Sequence, residues 1–409
     1  MIDDPSISER AFKWEQEFPD VMNHGGFDVI VGNPPYFNIS SEDSLRQTEL
    51  YRSVSNGVVN SAAIFVMRSI LLSKTNGHLG LIIPKSFAYV DSWKKIRNLI
   101  YDECTPEIVA DVGKAFKDVL LEQVIIVLRN RIGEKSSKVE IVSGLFSNAE
   151  RRNILSLDDL RMSGSIVFAS SNILENMLRK IENETVPLGE ISRNFRGIGA
   201  QKFVSEKGIN TERIISGKEI KGYDIVDYHN YHVPKVLLSD FKKIEDLRDT
   251  KIMCQNIVAH IRDHIKITCA YDDQGILTLD TVNNIVIRSK DFHLKYILAL
   301  LNSRLISHYT YIKIFSGAIR TMHFDSKYSN KIPIKKVNDE RQKSIVKIVD
   351  KILSLNSQIR LFSSKNSDGA HKLKEEVLNL EDRLNRMIYE LYELSDDEIS
   401  LVEKLYKKQ

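Results

Sequence analysis

Apolar positions follow two alternating rhythms over the first third of the chain. Residues 27–32 (FDVIVG) form a short apolar run closed by two prolines, the pattern of a buried strand and its carboxyl-end loop. Ile64, Met67, Ile70 and Leu71 then recur at helical spacing within residues 60–75, and the run stops at Asn76-Gly77. The strand pattern returns at 79–84 (LGLIIP), 108–112 and 124–128 (VIIVL), with an amphipathic helix expected over 91–103. Strands alternating with helices predict βαβ units and a mostly parallel sheet across residues 1–135.

Residues 136–336 change character. Short strand-like pieces such as GILTLDTVNNIVIRS are separated by turns, with helices expected at 171–182 and, as one amphipathic run, at 292–308. This predicts an α+β domain with a twisted sheet. From 337 to 409 the pattern is long and helical, broken only at 366–369, so a helical hairpin is expected. The expected class is therefore α/β, followed by an α+β domain and a C-terminal helical segment.

Composition narrows the setting. The 409 residues exceed one ordinary core and suit two or three domains. With 58 Lys+Arg against 55 Asp+Glu the formal charge is only +3, so nucleic-acid binding would need a local basic patch rather than bulk charge. No apolar run approaches the roughly 20 residues of a membrane span, and the first residues lack a secretory pattern. Cys104, Cys254 and Cys269 are scattered, with no CxxC pair or zinc-like His spacing. These features argue against a disulfide framework, a structural metal and a membrane, and for a cytoplasmic protein.

The chemistry-bearing string is Asn33-Pro34-Pro35-Tyr36. Two prolines fix φ and restrict the residue before them, so the loop is held in one shape at the strand's carboxyl end. Proline offers no N–H, which leaves carbonyl acceptors, the Asn33 side-chain oxygen and the flat ring of Tyr36. Converging acceptors beside an aromatic plate suit an exocyclic amino group on a planar base. Two acceptors gripping that group would free its nitrogen lone pair. Base–aromatic stacking of roughly 1–3 kcal/mol would offset much of the cost of base flipping.

DVIVGNPPY resembles motif IV of the adenine-N6 DNA methyltransferases, and FKWEQEFPDVMNHGGFD resembles the lead-in of type IIG restriction–modification enzymes and their Taq-type relatives. HLGLIIPKSF is similar to the family's next strand and loop. ADVGKAFKDVLLEQVIIVL is similar to a later motif whose aromatic, here Phe116, packs on the other face of the flipped adenine. KIMCQNIVAHIRD, LTLDTVNNIVI and LLNSRLISHYTYIKIFSGAIRTMHFDSKYSNKIPI resemble the target-recognition domain, and NRMIYELYELSDDEISLVE the C-terminal helices. The resemblance implies a Rossmann-like catalytic half at 1–135, a target-recognition domain at 136–336 and a helical segment at 337–409. It also implies S-adenosylmethionine as cofactor and double-stranded DNA as partner. Asn33, Pro34, Pro35 and Tyr36 would be the catalytic residues, with Tyr36 and Phe116 stacking on the base.

One departure is pronounced. The family's glycine-rich S-adenosylmethionine turn comes first in the chain, but only 32 residues precede Asn33 and none supplies Gly-x-Gly after a strand. Gly25-Gly26 reads as a turn, and Gly197-Ile-Gly199 has no helix after it. No nuclease motif is present either. The expectation is a sheet whose front half is missing, with a bare apolar edge at the motif IV strand and a second chain supplying the cofactor half.

Arg193, Arg196, Lys202, Lys218, Arg262, Arg288, Arg304, Arg320 and Lys327 are candidate DNA contacts, Arg320 foremost because small residues flank it in SGAIRTMH. Pro84, Lys85 and Ser86 would either line the pocket or form an ordinary capping loop. Two other readings stand beside a methyltransferase. One is a DNA-binding specificity module without activity, or a remnant lacking the cofactor motif. The other is an enzyme acting on RNA or protein nitrogens.

Overall fold

The computed structural model describes residues 12–116, 121–148, 150–168, 171–261, 264–318, 322–362 and 367–406. They form two compact units, one spanning residues up to 171 plus 315–318, the other 172–314 plus 319 onward.

The first unit is built on a six-stranded sheet. Its strands are β1 (Phe27–Gly32), β2 (Ser73–Pro84), β3 (Thr105–Gly113), β4 (Gln123–Arg129), β5 (Lys138–Ser143) and β6 (Arg151–Ser156), in the order β1-β2-β4-β3-β5-β6. β1/β2 and β3/β5 pair in parallel, while β2/β4, β3/β4 and β5/β6 are antiparallel. The sheet is thus mixed rather than mostly parallel. The reason is the link between β3 and β4, residues 114–122, which is too short for a crossover helix, so β4 must return antiparallel.

Helices α1 (Ser61–Leu72) and α2 (Lys94–Glu103) share one core cluster with the strands. α1 starts where the Asn60 side chain accepts from the Ala62 N–H at 3.1 Å, a local cap for an otherwise unpaired donor. The last strands, β5 and β6, followed by α3 (Leu157–Ser163), carry the unit past residue 135 to 171. Among the described residues β1 is the sheet's edge, and Val29 and Val31 on it are 62% and 78% exposed. Gly26 closes the turn before β1 with φ +109°, and a Cβ there would strike the Leu72 carbonyl.

The second unit opens with α4 (Asn172–Glu182) and centres on an antiparallel sheet. That sheet contains β7 (Ser192–Arg196), β8 (Lys251–Gln255), β9 (Cys269–Asp272) and β10 (Val282–Ile287), in the order β9-β8-β10-β7. The amphipathic stretch at 292–308 is two helices, α5 (Leu294–Asn302) and α6 (Arg304–Tyr309). They part at Ser303, which leaves helical geometry and caps α6 through its hydroxyl. Helices α7 (Asp339–Phe362), α8 (Ser367–Leu391) and α9 (Asp396–Tyr406) follow, within this same unit. The C-terminal region therefore has a second break, at 392–395, where Glu393 takes φ +56°.

The cysteines differ from expectation. Cys254 and Cys269 face each other directly across β8 and β9 and are disulfide-bonded, while Cys104 is free and buried. Pairing follows from strand register, which spacing in the sequence does not reveal. Among the described residues no group of three or more His, Cys, Asp or Glu could hold a metal ion, and no helix is long and apolar enough to cross a membrane.

Candidate active site

The carboxyl ends of β1, β2 and β3 and the amino end of β4 lie along one edge of the first sheet. The topology therefore gathers three loops there: Asn33–Tyr36 after β1, Pro84–Ser86 after β2, and the segment leading to Phe116 after β3. An edge of this kind is where open α/β sheets place their ligands.

Within the first loop Asn33 and Pro35 are exposed, Pro34 is buried and Tyr36 is half-buried, its ring packed on the core cluster. The Tyr36 hydroxyl lies 2.7 Å from Asn33 Oδ1 and 2.9 Å from the Ile82 carbonyl, so one phenolic proton serves two oxygens. Burial pushes the Tyr36 phenol up to about 12, so it stays protonated and donating at neutral pH. The Ser61 hydroxyl donates to the Pro35 carbonyl at 2.6 Å and accepts from the Phe37 N–H at 3.2 Å. The start of α1 thereby fixes the far side of the loop. An amide oxygen has two acceptor positions, so Asn33 Oδ1 can take a second donor while held by Tyr36.

Phe116 is 38% exposed at this edge. Its approach is anchored by the Ala115 N–H donating to Gln123 Oε1 at 2.8 Å and the Gly113 N–H donating to Asp111 Oδ1 at 3.0 Å. Lys85 is buried behind the edge, where its ammonium meets Asp111 and Glu122. Ser61, Asp111, Glu122 and Gln123 were not singled out from the sequence. The available signal was charge inside apolar runs, in ADVG and LLEQVIIVL.

S-adenosylmethionine finds no cradle among the described residues. Gly25 and Gly26 form the turn before β1, and Gly197 is small because a Cβ there would meet the carbonyls of Thr278 and Leu279. Among the described residues no glycine-rich turn leads from a strand into a helix.

The basic candidates of the second unit separate into groups. Arg304 is bound by Glu403 at 3.0 Å and Asp382 at 2.6 Å, tying α6 to α9 and α8. These pairs make it a strut between helices. Arg193 pairs with Asp246 through both guanidinium nitrogens, and the Arg196 Nε donates to the Asp280 carbonyl at 2.9 Å. Both stay more than 40% exposed at the side chain, so a phosphate could still reach them. Lys202, Lys218, Arg288 and Lys327 are exposed, with Lys218 lying 6.0 Å over the Tyr228 ring. Arg262 and Arg320 lie outside the described residues.

Comparison with known proteins matches both units. Residues 1–117 match the family described as Eco57I restriction-modification methylase, and residues 212–334 match the TaqI-like C-terminal specificity domain. A protein of Methanocaldococcus jannaschii, named as a type II restriction enzyme and methyltransferase, is 23% identical over 335 residues, which are 76% of this chain and 27% of that protein. The type II restriction enzyme and methyltransferase Eco57I of Escherichia coli is 38% identical over 87 residues, 20% of this chain and 8% of the relative. A type II methyltransferase of Thermus thermophilus is 23% identical over 275 residues, 61% of this chain and 59% of the relative. In fold, the chain is similar to the type IIL restriction-modification enzyme MmeI, solved in complex with DNA. That match has a TM-score of 0.56 at 12% identity and covers 97% of this chain and 58% of MmeI. The chain thus spans less than two thirds of the length of each of these relatives. It carries an Eco57I-type methylase segment and a TaqI-like specificity segment, and its relatives are type II restriction–modification methyltransferases.

Proposed function

We propose that this chain, which joins an Eco57I-type methylase segment to a TaqI-like specificity segment, holds the target adenine for N6 methylation in a restriction–modification methyltransferase and reads its DNA site. The observation that carries this is the convergence of the Asn33–Tyr36 loop and Phe116 on one sheet edge, with the Asn33 carboxamide pinned by the Tyr36 hydroxyl. Asn33 Oδ1 and the Pro34 carbonyl accept the two hydrogens of the adenine amino group, which turns its lone pair outward. The Tyr36 and Phe116 rings hold the flipped base between them. The amino nitrogen loses its proton to water after transfer, so no general base is required. The contribution of these residues is orientation and exclusion of water.

S-adenosylmethionine is the methyl donor in this reading. The edge strand β1, with Val29 and Val31 exposed, suits a sheet continued by the half that holds that donor. The partner is duplex DNA, contacted through Arg193, Arg196 and Lys327 in the second unit and through Arg320 of the specificity segment. A second reading, a specificity module without activity, is favoured by the absence of a glycine-rich cradle among the described residues.

One experiment separates them. The purified chain, with the donor-holding half of the sheet present, is titrated calorimetrically with S-adenosylmethionine, then incubated with labelled donor and unmodified genomic DNA, which is digested to nucleosides. Label in N6-methyldeoxyadenosine is the expected result. Label in N4-methyldeoxycytidine overturns the adenine assignment. Sequence-selective DNA binding with neither cofactor binding nor transfer selects the module reading.

A further inference from the structure

Lys85 is a lysine buried at 5% exposure where β2 ends, beside an exposed Asn33 and a partly exposed Phe116. Its Nζ lies 2.8 Å from Asp111 Oδ2 and 3.3 Å from Glu122 Oε1, and 5.6 Å over the Phe168 ring. Asp111 stands near the end of β3 and Glu122 just before β4, so the two carboxylates are the shoulders of the connection that carries Phe116. The same shoulders are laced by backbone. The Lys85 N–H donates to the Glu122 carbonyl at 2.8 Å, and the Gly113 N–H takes the second oxygen of Asp111. Three residues back from Lys85, the Ile82 carbonyl receives the Tyr36 hydroxyl. The end of β2 is therefore mechanically common to both walls of the site.

We propose that Lys85 is a positioning residue for the adenine pocket, its ammonium clamping Asp111 and Glu122 together so that Phe116 is held opposite Tyr36. The role in catalysis rests on the adenine reading above, while the clamp itself rests on geometry. Glu122 is buried and Asp111 half-buried; two carboxylates within reach of one cation repel once that cation is gone, and removing the shared partner is costly. The loop shoulders then separate, and Phe116 loses its fixed distance from the Asn33 loop.

The test uses hydrogen–deuterium exchange on the full chain. In Lys85→Met, a neutral side chain of similar length, the Gly113 and Ala115 amides are expected to exchange at least about tenfold faster, while the β5 and β6 amides keep their wild-type rates. Adding Asp111→Asn and Glu122→Gln to Lys85→Met removes the repulsion and is expected to restore most of that protection. Unchanged exchange in Lys85→Met overturns the clamp. Failure of the triple variant to recover overturns its electrostatic basis and makes Lys85 a packing residue. Should Lys85→Met not fold, Glu122→Gln alone, which keeps the Asp111 pair, is expected to raise exchange about threefold, and no change there overturns the clamp equally. In transfer to unmodified genomic DNA, Lys85→Met is expected to lose about tenfold in kcat with KM for DNA within about twofold. An open loop with unaltered kcat overturns the positioning role. If the wild-type chain transfers nothing, the adenine reading falls, while the exchange measurements still decide the clamp.

Discussion

The carboxyl edge of the first sheet and the antiparallel sheet of the second unit use polar side chains in opposite ways. At the first edge the candidate groups are open: Asn33 is exposed and Phe116 is 38% exposed, with the charges of Lys85, Asp111 and Glu122 set behind them. In the second unit cations are consumed by the fold itself. Lys251 and Asp272 form a fully buried pair between β8 and β9, and Arg304 bridges three helices. A buried pair of this kind adds little net stability against an apolar substitute, but breaking it by removing one partner is costly. The lesson is that a basic residue in the specificity segment can be a strut of the fold, and its partners are what identify it.

The sharpest way to break the comparison is Asn33→Ala. It is expected to lower methyl transfer at least about a thousandfold, roughly 4 kcal/mol, while DNA affinity by fluorescence anisotropy stays within about twofold. Transfer that survives this change sinks the role assigned to the open loop.

Next in size is a pH effect in the second unit. Burial first, and then the charge of nearby His264, push His308 down to about 4. The unfolded chain, with an ordinary imidazole near 6.5, takes up the proton first. Stability therefore rises with pH between about 4 and 6.5 and is level above that. The span is worth about 3 kcal/mol, at 1.36 kcal/mol per pKa unit. Urea unfolding of this unit at a series of pH values reads the slope, and His308→Leu is expected to flatten it.

Arg304→Met sharpens the strut assignment. It takes the guanidinium from Glu403, which keeps the Tyr389 hydroxyl, and from the half-exposed Asp382, and is expected to cost about 2 kcal/mol, while the salt dependence of DNA binding is unchanged. A shallower salt slope would make Arg304 a phosphate contact after all. Phe116→Ala is expected to lower kcat/KM about tenfold through lost stacking, near 1.4 kcal/mol, and an unchanged value removes Phe116 from the pocket. The smallest effect belongs to Lys327→Ala, expected to weaken DNA binding about threefold and to reduce the log–log salt slope by about one. No change in slope places Lys327 away from the phosphates.

Sequence and structure divided this protein along a physical line. The strands near 27–32, 79–84, 108–112 and 124–128 and the helices near 60–75, 91–103 and 171–182 were legible, because apolar periodicity is set by local backbone geometry. The Asn33–Tyr36 string was legible too, since two prolines state its shape within four residues. The sense of β4 was implied by the short 114–122 connection, but the repeating strand–helix rhythm masked it. The breaks at Ser303 and Glu393 depend on single capping or left-handed residues, which compete with a continuous helical pattern. What the chain alone did not disclose were the pairings at long range. Asp111 and Glu122 reach Lys85 across 26 and 37 residues, Asp382 and Glu403 reach Arg304 across 78 and 99, and Cys269 stands opposite Cys254. Local pattern determined which segments became strands and helices. Strand register and the packing of helices, settled only when the whole chain folded, decided which charges became partners.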